Sequence, residues 1–259
     1  DNGANFIFSE NQKEPIRDKT FRILTINNKK VIQTHDGICF YLDSIQPMNT
    51  IIETFVFQSH LMSSSDDFSG KIVFDVGAEC GDTALFYANK GAKVFSFEPV
   101  IAHFNALKKN LEINKELAKQ IHPTNAAIGE DGILKFYQSA SAEIAGGASY
   151  VYNMHGKEVK IVDVQGFSIN SAMKKVNVEH IDLLKMDCKG CEFYLTEKDL
   201  ANVDSLKIEY VAIDKKHRLE DLLKILEKLN YSYLIYRPSK YFRSNKEVAT
   251  IYAKKKDLL

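Results

Sequence analysis

The chain has 259 residues, of which 45% are hydrophobic and 26% are charged, a composition that is ordinary for a soluble globular protein. Its 34 lysines and arginines equal its 34 aspartates and glutamates, so it lacks the basic field with which nucleic-acid-binding proteins neutralise phosphates. No apolar run reaches membrane-spanning length, and no signal-peptide pattern is visible. We therefore expect a cytoplasmic protein with neither a nucleic-acid nor a membrane partner.

The first part of the chain predicts a small β/α extension ahead of the main domain. Asn27 and Asn28 favour a hairpin turn between two short strands, and a polar stretch at 63–67 is typical of a linker. The predicted elements of the extension are three strands and a helix, at residues 21–25, 30–34, 37–42 and 48–62. We accordingly predict an N-terminal extension over residues 1–68 and a main domain over residues 69–259.

From residue 71 onward, apolar runs of strand length alternate with segments of helical spacing. Strands are predicted at residues 71–76, 93–97, 125–128, 134–137, 159–164, 181–186, 207–213, 231–236 and 248–253. Helices are predicted at residues 82–89, after Pro99, from about Cys191, and along a leucine stripe at 219–229. Repeated βα units are typical of a mainly parallel sheet that is covered on both faces, so the sequence predicts an α/β, Rossmann-like fold.

The most informative segment is the loop that follows the first strand of the main domain. A hydrophobic strand leads to Asp75, and Gly77 and Gly81 bracket a tight turn into the next helix. Open α/β sheets bind ligands outside the carboxyl ends of their strands, and glycine lets the backbone approach a ligand closely. An alternative is that the glycines only make a turn, with Asp82 and Thr83 capping the helix.

The residue types of this loop bear on the choice of cofactor. Glu98 ends the next strand, where an acidic side chain can accept hydrogen bonds from ribose hydroxyls of either a nicotinamide or an S-adenosyl cofactor. Glu79 and Asp82 stand where a dinucleotide site has glycines, and carboxylates there would repel a diphosphate. They would instead suit the sulfonium and ammonium groups of S-adenosylmethionine. The sequence favours that cofactor, with a nicotinamide-dependent oxidoreductase as the alternative.

Several segments are similar to one methyltransferase family. DVGAECGDTALFYANKGAKVFSFEP, residues 75–99, resembles the first two motifs of FkbM-family methyltransferases, which read close to DVGANxGD and GA.V.AFEP. IDLLKMDCKGCEFYL, residues 181–195, resembles the family's later IDLLKIDxEGxE motif, and NAAIGEDGILKFY resembles the strand and hairpin between them. GICFYLDS and the ETF triplet at residues 53–55 resemble the family's residues that precede the first motif. The similarity spans roughly residues 37–213.

The resemblance implies a class I methyltransferase fold whose seven-stranded sheet ends in an antiparallel strand, with S-adenosylmethionine as methyl donor. It implies, commonly, O-methylation of a hydroxyl on a sugar or other small molecule. By position, Asp75 would hold the methionine end, Glu98 the ribose, and Ala127 would lie near the adenine. The full set of predicted cofactor-binding residues is Asp75, Gly77, Ala78, Glu79, Gly81, Asp82, Thr83, Phe97, Glu98, Pro99, Ala127 and Asp187.

Asp187, at the end of the fourth main strand, is the predicted catalytic group. Methyl transfer needs alignment of acceptor, methyl and sulfur, and a hydroxyl acceptor gains from a group that orients it or takes its proton. A helix-capping role for Asp187 is the alternative. The family usually has a glutamate where this chain has Lys189, so the charge beside the presumed acceptor site is reversed. A non-catalytic S-adenosylmethionine-binding module therefore remains a further hypothesis.

The cysteines and histidines predict no metal site. The four cysteines are too few and too scattered for a secreted disulfide framework, and Cys188 and Cys191 lack the second ligand pair or thioredoxin-like context that zinc or redox function needs. We expect Cys188 and Cys191 to be there because small side chains fit the turn that they form. None of the seven histidines has metal-binding spacing, and His103 is predicted to be an exposed helix residue.

Overall fold

The computed structural model describes residues 21–44, 49–63, 66–139, 148–149, 159–212, 216–237 and 248–258. The N-terminal extension forms a three-stranded antiparallel sheet of β1 (Arg22–Ile26), β2 (Lys29–Gln33) and β3 (Cys39–Tyr41). Asn27 and Asn28 both have positive φ, 49° and 58°, which is the geometry of the tight hairpin turn predicted from the sequence.

The remaining strands of the described residues belong to two further sheets. In chain order they are β4 (Ile72–Val76), β5 (Lys93–Phe97), β6 (Ile121–Thr124), β7 (Ala127–Ile128), β8 (Gly132–Ser139), β9 (Ala148–Ser149), β10 (Val159–Phe167), β11 (Ile181–Met186), β12 (Val203–Val211), β13 (Tyr231–Tyr236) and β14 (Val248–Lys255). Seven of them form the central sheet, in the order β13-β14-β12-β11-β4-β5-β6. Only β14, the last in the chain, runs antiparallel to its neighbours there, as predicted.

Helices cover both faces of the central sheet. They are α1 (Asn49–Phe55), α2 (Asp82–Asn89), α3 (Ile101–Ile113), α4 (Lys115–Ala118), α5 (Ile169–Lys175), α6 (Glu197–Leu200) and α7 (Leu219–Lys228). One face shares a core with α1, α2, α3 and the extension, and the other with α5, α6 and α7. The leucine stripe of α7 is buried at Leu219, Leu222 and Leu226, as its spacing predicts. None of the described helices is long and apolar enough to cross a membrane.

The strand prediction near residue 125 was wrong in two respects. The third strand of the central sheet is β6, which was not predicted because it is short and contains Pro123. Proline lacks a backbone N–H and is tolerated here because β6 lies at the edge of the sheet. The strand predicted at 125–128 shortens to β7, which belongs to the small sheet in the order β7-β10-β8-β9 and not to the central one.

The helix predictions were wrong in several places, and the short helix α4 was among those not predicted. The helix predicted at 48–62 ends at Phe55, because the Ile52 carbonyl accepts the N–H groups of both Val56 and Phe57 and the chain then turns through Gln58 at φ 49°. The helix predicted from Cys191 is a single 3₁₀ turn, Cys191–Tyr194, because a capping box at Thr196 starts the separate helix α6. Helix α5 was not predicted.

Asn110 of α3 and Asn114, the C-cap residue of that helix, bind the extension to the main domain. Asn114 accepts the N–H of Cys39 at 2.9 Å and donates to its carbonyl at 2.7 Å, replacing the partner that strand β3 would otherwise need. Asn110 accepts the N–H of Tyr41 at 3.1 Å and donates to the carbonyl of Cys80 at 2.9 Å. The glycine loop is thereby held against the extension through one buried side chain.

Candidate functional site

A cavity of about 660 Å³, counted to its open mouth, lies at the carboxyl ends of β4, β5 and β11. This is the edge at which open α/β sheets bind ligands. Its walls combine carboxylates with apolar side chains. The lining residues are Val76, Gly77, Glu79, Phe97, Glu98, Pro99, Val100, His103, Ala127, Ile128, Phe136, Asp187, Cys188, Lys189 and Cys191.

The predicted site residues divide into two groups. Those that line the cavity are Gly77, Glu79, Phe97, Glu98, Pro99, Ala127 and Asp187. Those that lie behind the cavity wall are Asp75, Ala78, Gly81, Asp82 and Thr83. Asp75, Asp82 and Thr83 flank the glycine loop, and Ala78 and Gly81 belong to it, so we expect this group to act on a ligand through the position of the loop backbone.

Glu98 is held at the cavity wall by the backbone on either side of it. One carboxylate oxygen accepts the N–H of Glu79 at 2.9 Å, and the other accepts the N–H of Val100 at 2.8 Å. Only 5% of the residue is exposed. Each carboxylate oxygen has a second lone pair, so Glu98 can accept two further hydrogen bonds from vicinal hydroxyls. The geometry suits the predicted ribose contact.

Asp75 is fully buried beneath the glycine loop. Its Oδ1 lies 3.0 Å from the ammonium group of Lys185, and its Oδ2 accepts the Thr83 hydroxyl at 2.7 Å. Lys185 also donates to the carbonyl of Gly77 at 3.0 Å. Burial disfavours the charged lysine, but the carboxylates of Asp75 and its neighbours outweigh burial and raise the pKa of Lys185. An ion pair inside the sheet therefore anchors the start of the loop.

Asp82 is the end of a buried hydrogen-bond chain that leads away from the cavity. The Thr54 hydroxyl donates to Asp82 Oδ2, so Thr54 accepts from His60 Nε2 at 3.0 Å. His60 Nδ1 in turn accepts from Lys207 Nζ at 2.7 Å. Burial, followed by the charge of Lys207, lowers the pKa of His60, so its imidazole is neutral. Neither Asp82 nor Thr83 caps α2, whose N-cap is Gly81.

Asp187 lines the cavity and belongs to a triad of charged side chains. Lys189 Nζ lies 2.7 Å from Asp187 Oδ1 and 2.9 Å from Glu209 Oε1. Burial alone would raise the pKa of Asp187, but the ammonium groups of Lys189 and Lys185 outweigh it and hold that pKa below its ordinary value. The reversed charge at Lys189 is thus matched by two carboxylates. Asp187 remains ionised and acts as a hydrogen-bond acceptor.

Glu79 carries the strongest pH dependence expected at the cavity. Burial, followed by the carboxylates of Asp82, Asp187 and Glu98, raises the pKa of Glu79 to about 8. A cationic ligand favours the ionised form, so affinity for S-adenosylmethionine should rise between about pH 6 and pH 8, by up to about tenfold per unit. Calorimetric titration across this range measures the change. Glu79→Gln should give a flat profile, and an equally steep one would contradict the assignment.

The same shift has the opposite consequence for the unliganded protein. The folded-state pKa of Glu79 lies above the ordinary 4.5, so its contribution to stability is fully present below that value. It is lost as the pH rises through about 8. Ligand binding and unliganded stability should therefore move in opposite directions with pH.

Sequence reasoning missed several residues of the cavity. His103 was predicted to be exposed, whereas its Nδ1 lies 3.8 Å from Glu98 Oε1 and its side chain is 14% exposed. The sequence could have indicated the position of His103, because the first helical turn after a parallel strand lies beside the carboxyl edge of the sheet. Cys188 and Cys191, assigned to a plain turn, are joined by a disulfide in the cavity wall. Phe136 belongs to β8 of the small sheet, and no nearby sequence pattern indicates that it lines the cavity.

The strand order, the glycine loop after the first central strand and the acidic residue after the second define a class I, Rossmann-like nucleoside-cofactor fold. The chain belongs to the FkbM methyltransferase family: the model of the methyltransferase FkbM domain matches residues 75–233. S-adenosylmethionine is the cofactor of this methyltransferase. The lining fits it, since Glu98 offers acceptors for hydroxyls and Glu79 and Asp187 offer carboxylates for positive charge.

Solved structures with a similar fold include three methyltransferases. The chain is 12% identical to precorrin-6y C5,15-methyltransferase from Geobacter metallireducens, with a TM-score of 0.46 and coverage of 85% of this chain and 96% of that one. It is also 12% identical to magnesium protoporphyrin IX methyltransferase from Synechocystis, with a TM-score of 0.43 and coverage of 81% of this chain and 78% of that one. It is 14% identical to an rRNA methylase from Streptococcus thermophilus, with a TM-score of 0.44 and coverage of 73% of this chain and 88% of that one. Among curated proteins none matches. Similarities this low do not bear on the acceptor.

Proposed function

We propose that the protein transfers a methyl group from S-adenosylmethionine to a hydroxyl of a small polar molecule, such as a sugar. The observation that carries the proposal is the charged triad of Asp187, Lys189 and Glu209, of which Asp187 and Lys189 line the cavity. It offers both acceptors and a cation, which is the combination that hydroxyl-rich molecules bind well. The cofactor supplies a methyl group already activated by its sulfonium.

The individual residues support a division of labour within the cavity. Glu98 holds the ribose hydroxyls, and Glu79 faces the positive charge of the cofactor. Ala127 and Phe97 provide apolar surface for the base. Asp187, whose pKa is lowered by Lys189 against the effect of burial, is a poor proton acceptor and a good hydrogen-bond acceptor. We assign it the orientation of the acceptor hydroxyl, rather than removal of its proton.

Transfer of label from S-adenosylmethionine carrying an isotopic methyl group tests this function. We expect label in sugars or other polyhydroxylated molecules, and none in amines or RNA offered in parallel. Asp187→Asn should lower the transfer rate at saturating cofactor by about 10²-fold, the scale of a misplaced reactant. Label found only in RNA would overturn the acceptor class. Tight binding of NADH in place of S-adenosylmethionine would favour an oxidoreductase.

Replacement of Glu98 by alanine should weaken binding of the cofactor by about 1–3 kcal/mol, because buried partners lose their acceptor. This corresponds to a roughly 5- to 150-fold rise in Kd, which calorimetric titration with S-adenosylhomocysteine can measure. Glu112→Ala provides a matched control, since Glu112 is an exposed glutamate of α3 away from the cavity lining. An unchanged Kd for a folded Glu98→Ala protein would remove Glu98 from the site.

A further inference from the structure

The disulfide between Cys188 and Cys191 closes a short loop in the wall of the cofactor cavity. Their Cα atoms are 5.6 Å apart, and both residues line the cavity. Between them lie Lys189 at φ 53° and Gly190 at φ 129°. A left-handed lysine followed by a glycine of positive φ is an uncommon backbone path, which a covalent link across it helps to maintain.

Asp187, the residue directly before this cysteine loop, is in contact with the glycine loop. The N–H of Asp187 donates to the carbonyl of Val76 at 3.0 Å. A Cβ placed on Gly77 would lie only 2.0 Å from the carbonyl oxygen of Asp187, so the two backbones meet without intervening side chains. A shift of the cysteine loop is therefore transmitted to the loop that supports the cofactor.

We propose that Cys188 and Cys191 form a reversible dithiol–disulfide pair that responds to small-molecule thiols and disulfides and adjusts the affinity of the cavity for its cofactor. Cys188 is half-buried at the cavity surface, whereas Cys191 is 2% exposed. The pair therefore contains one sulfur that an external reagent can reach through the cavity and one that is shielded by the protein.

The chemistry is a pair of thiol–disulfide exchanges. The Cys188 thiolate attacks one sulfur of a small-molecule disulfide, forming a mixed disulfide and expelling one small thiolate. The Cys191 thiolate then attacks the Cys188 sulfur and expels the second small thiolate. The two protein thiols are oxidised, the small disulfide is reduced to two thiols, and the two protons of the protein thiols go to the expelled thiolates. Excess small thiol reverses both steps.

The two states should differ in cofactor affinity for a physical reason. With the bond formed, the loop is held in the conformation that shapes the cavity, so less conformational freedom is lost on binding. With the bond reduced, the two sulfurs move apart from bonding to van der Waals distance and the strained Lys189 backbone can relax. We expect the oxidised protein to bind S-adenosylhomocysteine more tightly by about threefold or more.

The test uses the intact protein equilibrated with oxidised or reduced glutathione. Mass spectrometry after iodoacetamide treatment under denaturing conditions should show two fewer alkylated cysteines in the oxidised sample, and titration with S-adenosylhomocysteine should show the lower Kd there. The variant in which Cys188→Ser and Cys191→Ser are combined should bind equally in both buffers. Cys39→Ala should keep the full response, since Cys39 lies in β3 outside the cavity lining.

Three results would overturn the proposal. The first is a pair that stays reduced in oxidised glutathione, and the second is an equal or higher Kd for the oxidised protein. The third is a stoichiometric divalent metal in the purified protein that the double serine variant lacks, because Cys188, Cys191 and Glu192 also bring three ligand atoms together. Complete absence of S-adenosylhomocysteine binding in both states would instead contradict the cofactor assignment itself, and the alkylation result would still report on the thiol chemistry.

Discussion

Lys185→Met is expected to lower the free energy of unfolding by about 3–5 kcal/mol, the cost of leaving a buried charge without its partner. Asp75 is 0% exposed, and with Lys185 removed its carboxylate would retain only the hydroxyl of Thr83 as a hydrogen-bond donor. Stabilities of natural domains are about 5–15 kcal/mol, so this loss is a large fraction of the total. Urea denaturation followed by circular dichroism measures it.

The double variant Asp75→Asn with Lys185→Met separates the lost ion pair from general damage to the core. Asparagine removes the uncompensated charge, and its carbonyl oxygen can still accept the hydroxyl of Thr83. The double variant should therefore be more stable than Lys185→Met alone. If the two are equally unstable, the loss comes from packing of the lysine stem or from the carbonyl of Gly77, and the charge argument fails.

Gly77→Ala is expected to damage both stability and cofactor binding. Gly77 has φ 76°, and an added Cβ would lie 2.0 Å from the backbone oxygen of Asp187. The glycine loop and the cysteine loop would have to part, so we expect a loss of about 2–4 kcal/mol from strain and overpacking. The Kd for S-adenosylhomocysteine should rise by about tenfold or more, since a displacement of this kind reaches the cavity wall.

Gly37→Ala is the matched control for this substitution. Gly37 has a similar φ of 84°, but an added Cβ there would meet nothing within 4 Å. The alanine then carries only the left-handed backbone penalty, about 1–2 kcal/mol, and cofactor binding should be unchanged. Equal destabilisation by the two substitutions would show that backbone conformation, rather than the contact with Asp187, limits residue 77.

The cofactor side of the site could be predicted from local sequence. A buried strand that delivers Asp75, a glycine turn and an acid after the next strand are patterns whose positions follow from the geometry of one βα unit. Seven of the predicted residues accordingly line the cavity. The mainly parallel sheet follows from the alternation of elements, and its seven strands with an antiparallel last one follow from the family resemblance, although β6 was not predicted.

The direction of each side chain could not be predicted in the same way. Asp75 was expected to face the ligand, but β11 lies beside β4 and places Lys185 directly opposite it, so the carboxylate pairs within the sheet. Asp82 turns from the cavity because Thr54, distant in sequence, offers it a hydroxyl. Each outcome depends on a partner brought close only by the tertiary fold, and spacing along the chain carries no information about such partners.

The hydrogen-bond chain from Asp82 to Lys207 also has a consequence for how the protein can be divided. Its two charged ends belong to the residues after 69, whereas its two neutral bridging groups, Thr54 and His60, belong to the residues before. A fragment that began at residue 69 would lack Thr54 and His60, so Asp82 and Lys207 would lose the side chains that connect them, and the surface that the segment covers would be exposed. The N-terminal segment thus supplies the hydrogen bonds that water would otherwise make to Asp82 and Lys207, and truncation at residue 69 would remove part of the folded core.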